Sequence, residues 1–553
     1  FCALLSEETA MAYAYTPFPY NPPPGLTAPE PRHPVVIVGA GPIGLSMAVD
    51  LALRGVKSVV LDDNNVVSLG SRAICWAKRT LEIFDRLGIG ERMLDKGVTW
   101  KVGRQFHGER EVYNFDLLPE PGHKYPAFVN LQQYYVEEYL VERAQDFPDL
   151  IDLRFLNKVT DHKGHADHVE LTVETPDGPY LLETDWYIAC DGAGSATRKR
   201  MNLPFEGQTF DEHFLIADVE METSPFGDHD TPERWFWFAP PFHNGQSALL
   251  HKQPDNIYRI DLQLGPETDP KAEATEEKVV PRLKQMLGDA PFRLDWMSVY
   301  KFRCARLEKF VQGRVVFVGD SAHVVSPFGA RGGNGGVQDV DNLGWKLAAV
   351  VQGDAPTSLI ESYDIERGHG ADENMRNSAR ATNFMTPKSP IETLFRNEVL
   401  TLAAQHPFAR KLINSGRLSQ PCTLAHSPLQ TAGDAPLRPG NALIDAPLAG
   451  PAGDRWLLGE VQGQFTLLAV GGITAPDIPG LRRIGIDQSQ GAYPCFQGKD
   501  GHAQRRYGSG FLYLLRPDGH VCAVFDQPDR AAISRAFARA FDGALDYAKG
   551  ATA

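Results

Sequence analysis

The sequence has no long apolar segment, few cysteines and no excess of basic residues. No apolar run approaches the roughly 18–20 residues of a membrane span, which excludes an integral membrane protein. The seven cysteines are scattered without a Cys-x-x-Cys pair, which excludes a disulfide scaffold and a cysteine-rich zinc site. The net charge is −15 and no basic stripe interleaves with aromatic residues, so we expect no nucleic-acid partner.

The remaining composition is that of an ordinary globular protein, with 42% of 553 residues apolar and 23% charged. A chain of this length has room for about three to five domains. It begins at Phe1 and reaches its first methionine at Met11, without the basic segment and long apolar core of a signal peptide. We therefore expect residues 1–10 to reflect an altered or misassigned start, and we expect a cytoplasmic protein.

Residues 1–32 form a proline-rich arm. Eight prolines lie within residues 17–34. Because proline donates no backbone hydrogen bond, the segment predicts an extended conformation outside any sheet. Its simplest interpretation is an inert tail.

Changes of periodicity divide the rest of the chain into four segments. Alternating strand and helix patterns run over residues 33–204, and longer strands with period-two alternation follow over residues 205–305. The strand–helix pattern returns over residues 306–425, and a turn-rich stretch opens a final unit over residues 426–553. The sequence therefore predicts an α/β fold with an inserted antiparallel sheet domain.

Two strands of the inserted segment, at residues 213–219 and 257–264, carry one apolar face each. With the polar residues His213 and Tyr258, these faces comprise Leu215, Ala217, Val219, Ile260, Leu262 and Leu264. The alternation predicts half-buried antiparallel strands whose apolar face lines a core or a pocket. His213 and Tyr258 are thus candidates for acid–base chemistry, although the simpler interpretation of each is a satisfied core residue.

The first chemical signal is a glycine-rich turn. Gly39, Gly41 and Gly44 form a G-x-G-x-x-G pattern directly after an apolar strand and directly before a helical pattern. Glycines at this spacing allow a tight turn and let the backbone approach a pyrophosphate at the helix N-terminus. A second strand ends at Asp62, 23 residues after Gly39, where a carboxylate can accept a ribose hydroxyl. The pattern predicts a dinucleotide site.

A second signal lies some 280 residues later in the chain. Residues 314–318 form a buried strand that ends in Gly319 and Asp320, and a glycine-rich loop over residues 327–336 precedes a helix expected to start near Val337. A run of backbone N–H groups that opens a helix makes a local positive end, which would stabilise an anionic flavin edge.

Taken together, three motifs resemble the fingerprints of single-component flavin aromatic hydroxylases. They are the G-x-G-x-x-G turn, residues 191–198 (Asp-Gly-Ala-Gly-Ser-Ala-Thr-Arg), and Gly319-Asp320, in this order. Within that group the chain is similar to the phenol hydroxylase and 3-(3-hydroxyphenyl)propionate hydroxylase branch. The resemblance covers residues 33–545. It implies a Rossmann-like FAD-binding domain in two parts (33–204 and 306–425), a substrate-binding β-sheet domain (205–305) and a thioredoxin-like domain (426–553).

The resemblance also implies the chemistry. NADH or NADPH reduces FAD, the reduced flavin and O2 form a C4a-hydroperoxide, and an aromatic, usually phenolic, substrate is hydroxylated. A homodimer is compatible with this family. The implied cofactor-binding residues are Gly39, Gly41, Gly44, Asp62, Arg72, Gln133, Asp191, Gly192, Asp320, Pro327, Gly332, Gly333 and Asn334. No metal is implied, and the His162, His165 and His168 run predicts a solvated hairpin loop.

Some residues depart from the family pattern. Thr197 stands where valine is usual, and Arg331 stands where glutamine is common, which adds a cation near the expected flavin ring. In the final unit, Cys495 and Cys522 stand alone, so we expect a structural role rather than dithiol redox chemistry.

Rival functions remain open at this point. Residues 235–240 are close to a flavin-halogenase signature, although an aromatic-rich strand wall is the simpler interpretation. A Baeyer–Villiger or epoxidising monooxygenase would use the same cofactor. A third rival is a flavoprotein that shelters an intermediate without being reduced by a nicotinamide.

Overall fold

The computed structural model describes residues 13–70, 72–227, 231–266, 268–413, 420–450, 453–488 and 492–542. Residues 1–10 and Cys2 therefore lie outside the described residues, and the other six cysteines are free thiols. Within the described ranges, none of the helices is long and apolar enough to cross a membrane.

The first third of the chain alternates strands and helices. Its strands are β1 His33–Val38, β2 Ser58–Leu61, β3 Cys75–Ala77, β4 Val98–Trp100, β5 Val102–His107, β6 Arg110–Asp116, β7 Phe128–Asn130, β8 Ile151–Arg154, β9 Lys158–Gly164, β10 Val169–Thr175 and β11 Gly178–Ala189. Its helices are α1 Pro42–Leu53, α2 Lys78–Leu87, α3 Gly90–Lys96, α4 Gln133–Gln145 and α5 Ala196–Arg200.

The middle of the chain supplies a large sheet and then long helices. Its strands are β12 Glu206–Glu220, β13 Arg234–Phe238, β14 Ala248–Lys252, β15 Ile257–Gly265, β16 Arg293–Arg306, β17 Val311–Gln312, β18 Val315–Phe317 and β19 His323–Val324. Its helices are α6 Pro270–Glu273, α7 Glu276–Leu287, α8 Gly332–Val351, α9 Glu361–Met385, α10 Pro390–Gln405 and α11 Pro407–Ile413.

The last part forms a separate sheet with short helices. Its strands are β20 Pro447–Gly450, β21 Gly453–Trp456, β22 Thr466–Val470, β23 Arg482–Ile486, β24 Cys495–Gly498, β25 Phe511–Leu515 and β26 Val521–Phe525. Its helices are α12 Leu457–Val461, α13 His502–Tyr507 and α14 Arg530–Asp542. Residues 516–519 have the sequence Arg-Pro-Asp-Gly between two apolar runs, which predicts a tight turn, and β25 and β26 form an antiparallel hairpin around them.

A parallel sheet forms the centre of the molecule, with β8, β2, β1, β11 and β18 side by side. The residues of β2 and β18 and the last four residues of β1 and β11 are buried beneath helices: α1 is buried along most of its length and packs beside α8. The carboxyl ends of β1, β2, β11 and β18 meet at one edge, where Gly39, Asp62, Asp191 and Gly319 follow. In open α/β sheets this edge is the usual ligand site.

The second sheet has the order β19-β16-β12-β15-β14-β13-β5-β6. It extends beyond residues 205–305, because β5 and β6 from residues 102–116 complete one end of it. The predicted antiparallel character of β12 and β15 is confirmed, since they pair with each other in antiparallel register, but half-burial is wrong. Phe214, Asp218 and Arg259, on the face opposite the apolar one, are all buried too. That face is covered by the rest of the protein, and Arg259 and Asp218 on it are paired with each other.

Three further expectations can be compared with the structure. The inert tail is wrong for the described part of the arm, because Tyr13 packs on Tyr134 at 4.2 Å between ring centroids and Phe18 stacks on Phe155. Helix α8 starts at Gly332 rather than near Val337, so the glycines 332–336 are helical themselves. The hairpin at His165 is confirmed, and the described residues contain no group of side chains suited to a metal ion.

Candidate active site

The first glycine-rich turn connects β1 to α1. Gly39 has φ +106°, and a Cβ there would lie 2.4 Å from the carbonyl oxygen of Cys190. A Cβ on Gly44 would lie 1.9 Å from the carbonyl oxygen of Gly39. By contrast, the nearest atom to a Cβ on Gly41 is Glu137 Oε1, at 4.0 Å. The outer glycines are therefore required by the protein's own packing, whereas Gly41 leaves open space at a helix N-terminus, where a phosphate could bind.

Asp62 closes this turn from the end of β2. Its Oδ2 accepts a hydrogen bond from the Ala40 amide at 2.6 Å, and its Oδ1 accepts one from the Asn64 amide at 2.8 Å. A carboxylate has about four acceptor positions, so capacity remains for a hydroxyl of a bound molecule.

Ser68 and Ala73, which precede β3 in the chain, are held by side chains at the start of α4. Gln133 accepts a hydrogen bond from the Ala73 amide at 3.1 Å and donates one to Glu137 at 2.8 Å. Glu137 also accepts hydrogen bonds from the Ser68 amide and hydroxyl, and burial raises the pKa of its carboxyl. The Arg72 side chain is exposed, while its carbonyl accepts a hydrogen bond from Arg259 Nη1 at 3.1 Å. Glu137 is a positioning residue that the motifs alone did not single out.

Asp191 organises the turn between β11 and α5. Its carboxylate accepts hydrogen bonds from the Ser195 hydroxyl at 2.6 Å and the Thr197 amide at 2.9 Å. Gly192 has φ +74°, and a Cβ there would meet no atom within 4 Å. Asp191 therefore shapes the turn, and Gly192 keeps its outer side open.

The Gly319-Asp320 motif contacts the first glycine-rich turn directly. A Cβ on Gly319 would lie 3.1 Å from Ile43, and one on Gly336 would lie 2.6 Å from the same side chain. Ile43 at the start of α1 thus brings two motifs together that are some 280 residues apart. The Asp320 side chain is exposed at this junction.

The loop from Pro327 to Asn334 leads into α8. Asn334 donates hydrogen bonds to the carbonyls of Cys75 at 2.8 Å and Ala330 at 2.6 Å, and it accepts one from the Ala77 amide at 2.9 Å. A Cβ on Gly333 would lie 3.3 Å from Trp76. The start of α8, at Gly332, is therefore fixed against β3 through Asn334.

A buried charge cluster behind this loop was not predicted. Asp339 of α8 accepts hydrogen bonds from Arg367 Nε at 2.6 Å and the Gly319 amide at 3.1 Å, and His323 Nε2 lies 2.7 Å away. Electrostatic and hydrogen-bond interactions with His323 and Arg367 lower the pKa of Asp339 despite burial. The signal in the sequence was His323, four residues after Gly319. These interactions connect α8 to the end of β18 and so stabilise the position of the glycine-rich start of α8.

The candidates His213 and Tyr258 are not brought to these loops. Tyr258 is fully buried in an apolar cluster with Leu215, Val219 and Val279 of α7. The His213 ring lies 3.4 Å from the carbonyl of Gly265 at a register shift of the sheet. Neither side chain lines the cavity described next.

That cavity, of about 100 Å³, lies between the second sheet, the loop 327–334 and α9. Its walls are Gln105, Phe115, Arg234, Phe236, Phe238, Phe328, Gly329, Arg331, Asn377, Arg380, Ala381, Phe384, Met385 and Ile413. Phe236 and Phe238 face the cavity, whereas Trp235 and Trp237 pack on the apolar face of the sheet. The aromatic run is thus the strand wall that the sequence favoured over a halogenase signature. Arg331, which departs from the family pattern, lines the cavity as well.

The cavity face of the sheet carries a polar row. Arg234, His251, Arg259 and Asp218 are paired across four adjacent strands. Arg259 donates to Asp218 at 3.1 Å, and burial together with the two arginines lowers the pKa of His251. Asp261, two residues further along β15, has a buried Oδ1 without a hydrogen-bond partner in the described structure, and burial raises its pKa to about 6.

Comparison with known proteins places this architecture among flavoproteins. A family model described as FAD binding domain matches residues 32–378. The 12-dehydrotetracycline 5-monooxygenase/anhydrotetracycline 6-monooxygenase of Streptomyces rimosus is 30% identical over 502 residues, 89% of this chain and 95% of the relative. The 3-(3-hydroxy-phenyl)propionate/3-hydroxycinnamic acid hydroxylase of Mycolicibacterium gilvum is 30% identical over 68% of this chain and 65% of the relative. The solved structure of the flavin-dependent monooxygenase PieE with FAD and substrate has a TM-score of 0.77 at 21% identity, covering 93% of this chain and 100% of the other, which indicates a shared fold.

Proposed function

Because the chain belongs to the family of FAD-dependent monooxygenases that carry this FAD binding domain, we propose that it hydroxylates a phenolic or related aromatic compound with NAD(P)H and O2. The observation that carries the proposal is the cavity beside the glycine-rich loop, whose walls include five phenylalanine rings. The names of two relatives point to hydroxylated aromatic substrates. Aromatic walls bind such rings by apolar burial and ring packing.

The residues that we propose to hold FAD surround one edge of the parallel sheet. Gly39, Gly41, Gly44 and Asp62 would bind its ADP half; Asp191, Gly192 and Asp320 would adjoin the pyrophosphate and ribityl chain; Arg72, Gln133, Pro327, Gly332, Gly333 and Asn334 would surround the isoalloxazine. The open space at Gly41 and Gly192 supports this assignment. Bound FAD supplies hydride acceptance from NAD(P)H and reaction with O2.

We also propose the finer domain division. Two parts of one FAD-binding domain (33–204 and 306–425) enclose a substrate sheet domain (205–305), to which β5 and β6 should be added. The final unit (426–553) would be thioredoxin-like, and the support is its order β23-β22-β25-β26, with one parallel and two antiparallel pairings. Burial raises the pKa of Cys522 to about 12, which suits a structural thiol rather than a redox one.

The sheet face that supplies the cavity walls Arg234, Phe236 and Phe238 also carries Asp261, two strands away from Phe236. Asp261 is better suited than His213 or Tyr258 to activating a phenol. Asp261 has an unpartnered buried carboxylate oxygen and a pKa of about 6, close to the range in which a general base is most effective. The positive charges of Arg234 and Arg259 oppose the effect of burial and keep it largely ionised near neutral pH. We propose that Asp261 accepts the proton of the substrate hydroxyl.

Replacing Asp261 with asparagine should lower the hydroxylation rate by about 100-fold or more while NAD(P)H oxidation persists, because proton acceptance is lost but flavin reduction is not. In the unchanged enzyme the rate should fall as pH drops through about 6, since protonation removes the base. This acidic limb should be missing in Asp261→Asn. Product per NAD(P)H consumed, measured from pH 5 to 8, tests both points.

The matched control is Asp289→Asn, the same substitution on an exposed turn of the same sheet domain. It should retain both the rate and the pH profile. If the rate of Asp261→Asn still falls as pH drops through about 6, the fall is caused by another group, and Asp261 is not the proton acceptor.

The function itself is tested on the purified holoenzyme. We expect flavin absorbance bands that bleach under anaerobic NADH or NADPH, faster in the presence of one member of a phenol panel. Admission of oxygen should then yield a product heavier by one oxygen atom. Bands that never bleach with any phenol would favour the sheltering alternative. A halogenated product formed with bromide would favour the halogenase alternative.

A further inference from the structure

Three guanidinium groups line the cavity, and their protein partners differ. Arg331 Nη1 donates to Asn374 Oδ1 at 2.9 Å. Arg380 Nη2 donates to the carbonyls of Lys411 and Leu412 at 3.2 and 3.4 Å, at the end of α11. Arg234 has no hydrogen-bond acceptor and no ion pair among residues in the described ranges.

The groups around Arg234 do not neutralise it. The ring of Trp100 lies 6.0 Å from its guanidinium carbon, a distant cation–π contact. Burial raises the pKa of the neighbouring Cys75 thiol to about 11, so that thiol carries no charge near neutral pH. Asp261 attracts Arg234 electrostatically without approaching to ion-pair distance. One positive charge of the cavity wall is therefore available to a ligand.

The backbone holds this guanidinium in place. Arg234 starts β13 and is paired with Gly103 on one side and His251 on the other, which directs its side chain to the cavity face with Phe236 and Phe238. Besides Gln105, Gly329, Asn377 and the three arginines, the walls are aromatic and aliphatic. A charged donor in such apolar surroundings interacts far more strongly with an anion than one on an exposed surface does.

We propose that Arg234 binds an anionic oxygen of the substrate, so that the aromatic substrate carries a carboxylate or a phenolate at the end held against β13. This inference rests on the proposed function and names the charged group that its substrate must have. An oxygen anion on a planar carbon framework matches the fork of the guanidinium, and a carboxylate can accept two parallel hydrogen bonds from it.

Two ligand pairs test the proposal by equilibrium binding to the oxidised holoenzyme, without turnover. Benzoate is compared with benzamide, and 4-nitrophenol is compared with 4-nitroanisole at pH 8, where the phenol is ionised. Binding is followed by the change in the flavin bands and, independently of the flavin, by titration calorimetry. We expect the anionic member of at least one pair to bind about 10- to 100-fold more tightly, the range of a charge-assisted hydrogen bond.

The variant Arg234→Gln should remove this preference, because it should weaken binding of the anionic ligand without weakening binding of the neutral ligand. Arg234→Lys should retain part of it, because the charge remains and the fork does not. The matched control is Arg376→Gln, which removes an exposed guanidinium of α9 that is not among the cavity walls, and it should leave the anion-to-neutral ratio unchanged.

Each outcome decides the proposal. A preference confined to the benzoate pair assigns a carboxylate, and one confined to the nitrophenol pair assigns a phenolate. Equal affinities within both pairs for the unchanged enzyme would overturn the inference, whatever the variants do. A preference that survives Arg234→Gln would overturn it too. Flavin reduction by NAD(P)H is measured separately, so failure here leaves the proposed monooxygenase function standing.

Discussion

Replacing Gly41 with alanine is expected to lower the affinity for FAD by on the order of 100-fold while the chain stays folded. The backbone of Gly41 has φ −77°, which alanine adopts freely, and no protein atom lies nearer than 4.0 Å to the added methyl group. The methyl group would instead occupy the space where a pyrophosphate approaches the start of α1. Flavin retained on purification and titration of the apoprotein with FAD measure the loss.

Gly459→Ala is the matched control for this prediction. Gly459 lies in α12 of the final sheet unit, and a Cβ there also meets no atom within 4 Å. It should bind FAD as the unchanged chain does and melt at the same temperature or slightly higher, since alanine favours a helix over glycine. If Gly41→Ala keeps full flavin occupancy with normal affinity, the pyrophosphate does not pass this turn and the cofactor assignment there fails.

Replacing Glu366 with glutamine should destabilise the protein by about 3–5 kcal/mol, because it leaves the buried Lys346 without its anion and leaves Arg516 with Asp518 alone. Glu366 of α9 accepts hydrogen bonds from Lys346 Nζ at 2.7 Å and from Arg516 Nη1 and Nη2 at 2.5 and 3.0 Å. All three side chains are almost fully buried, and the two cations hold the pKa of Glu366 well below its usual range. Urea unfolding followed by tryptophan fluorescence measures the change.

The control is Glu361→Gln, the same substitution at the exposed first residue of α9. It should cost less than about 1 kcal/mol, the size of a helix-terminus charge effect. A Glu366→Gln loss as small as that of the control would mean that Lys346 and Arg516 find other partners. The ion pair with the β25–β26 hairpin would then contribute little to stability.

The Glu366 cluster joins the final sheet unit to the rest of the molecule. Arg516 and Asp518 lie in the turn between β25 and β26, and the carbonyl of Asp518 accepts a hydrogen bond from Arg79 of α2 at 2.6 Å. Arg79 in turn donates to Asp341 of α8 at 2.9 Å. The turn of one sheet unit therefore contacts the helix whose start borders the cavity, so loosening it should also lower flavin retention in Glu366→Gln.

The motifs that could be predicted from the sequence are those whose conformation depends on residues close by in the chain. The turn at Gly39–Gly44, the strand ending at Asp62 and the hairpin around residues 516–519 each depend on neighbours within a few residues. Side-chain size, glycine torsions and strand alternation act at that range, so their effect can be read from the chain. The family resemblance rests on the same local motifs.

The face of the sheet that meets the cavity could not be predicted in this way. Alternation places Tyr258 and Asp261 on opposite faces of β15, and both faces are covered, one by α7 and the other by the cavity and its loops. The sequence of β15 alone does not indicate which of its two faces meets the site of the reaction. The apolar face suggested His213 and Tyr258, whereas the polar face, with Arg234 and Asp261, borders the cavity side.

The sequence by itself thus determined the cofactor class and the position of the first glycine-rich turn, between β1 and α1. Only the tertiary structure decided that Ile43 joins the first and third motifs, that residues 102–116 complete the second sheet, and that Arg234 stands in the cavity wall without an ion pair to any residue in the described ranges. The reason is physical: local conformation is set by neighbours along the chain. Pairing, burial and the charge partners of a side chain are set by segments that are distant in sequence and meet only on folding.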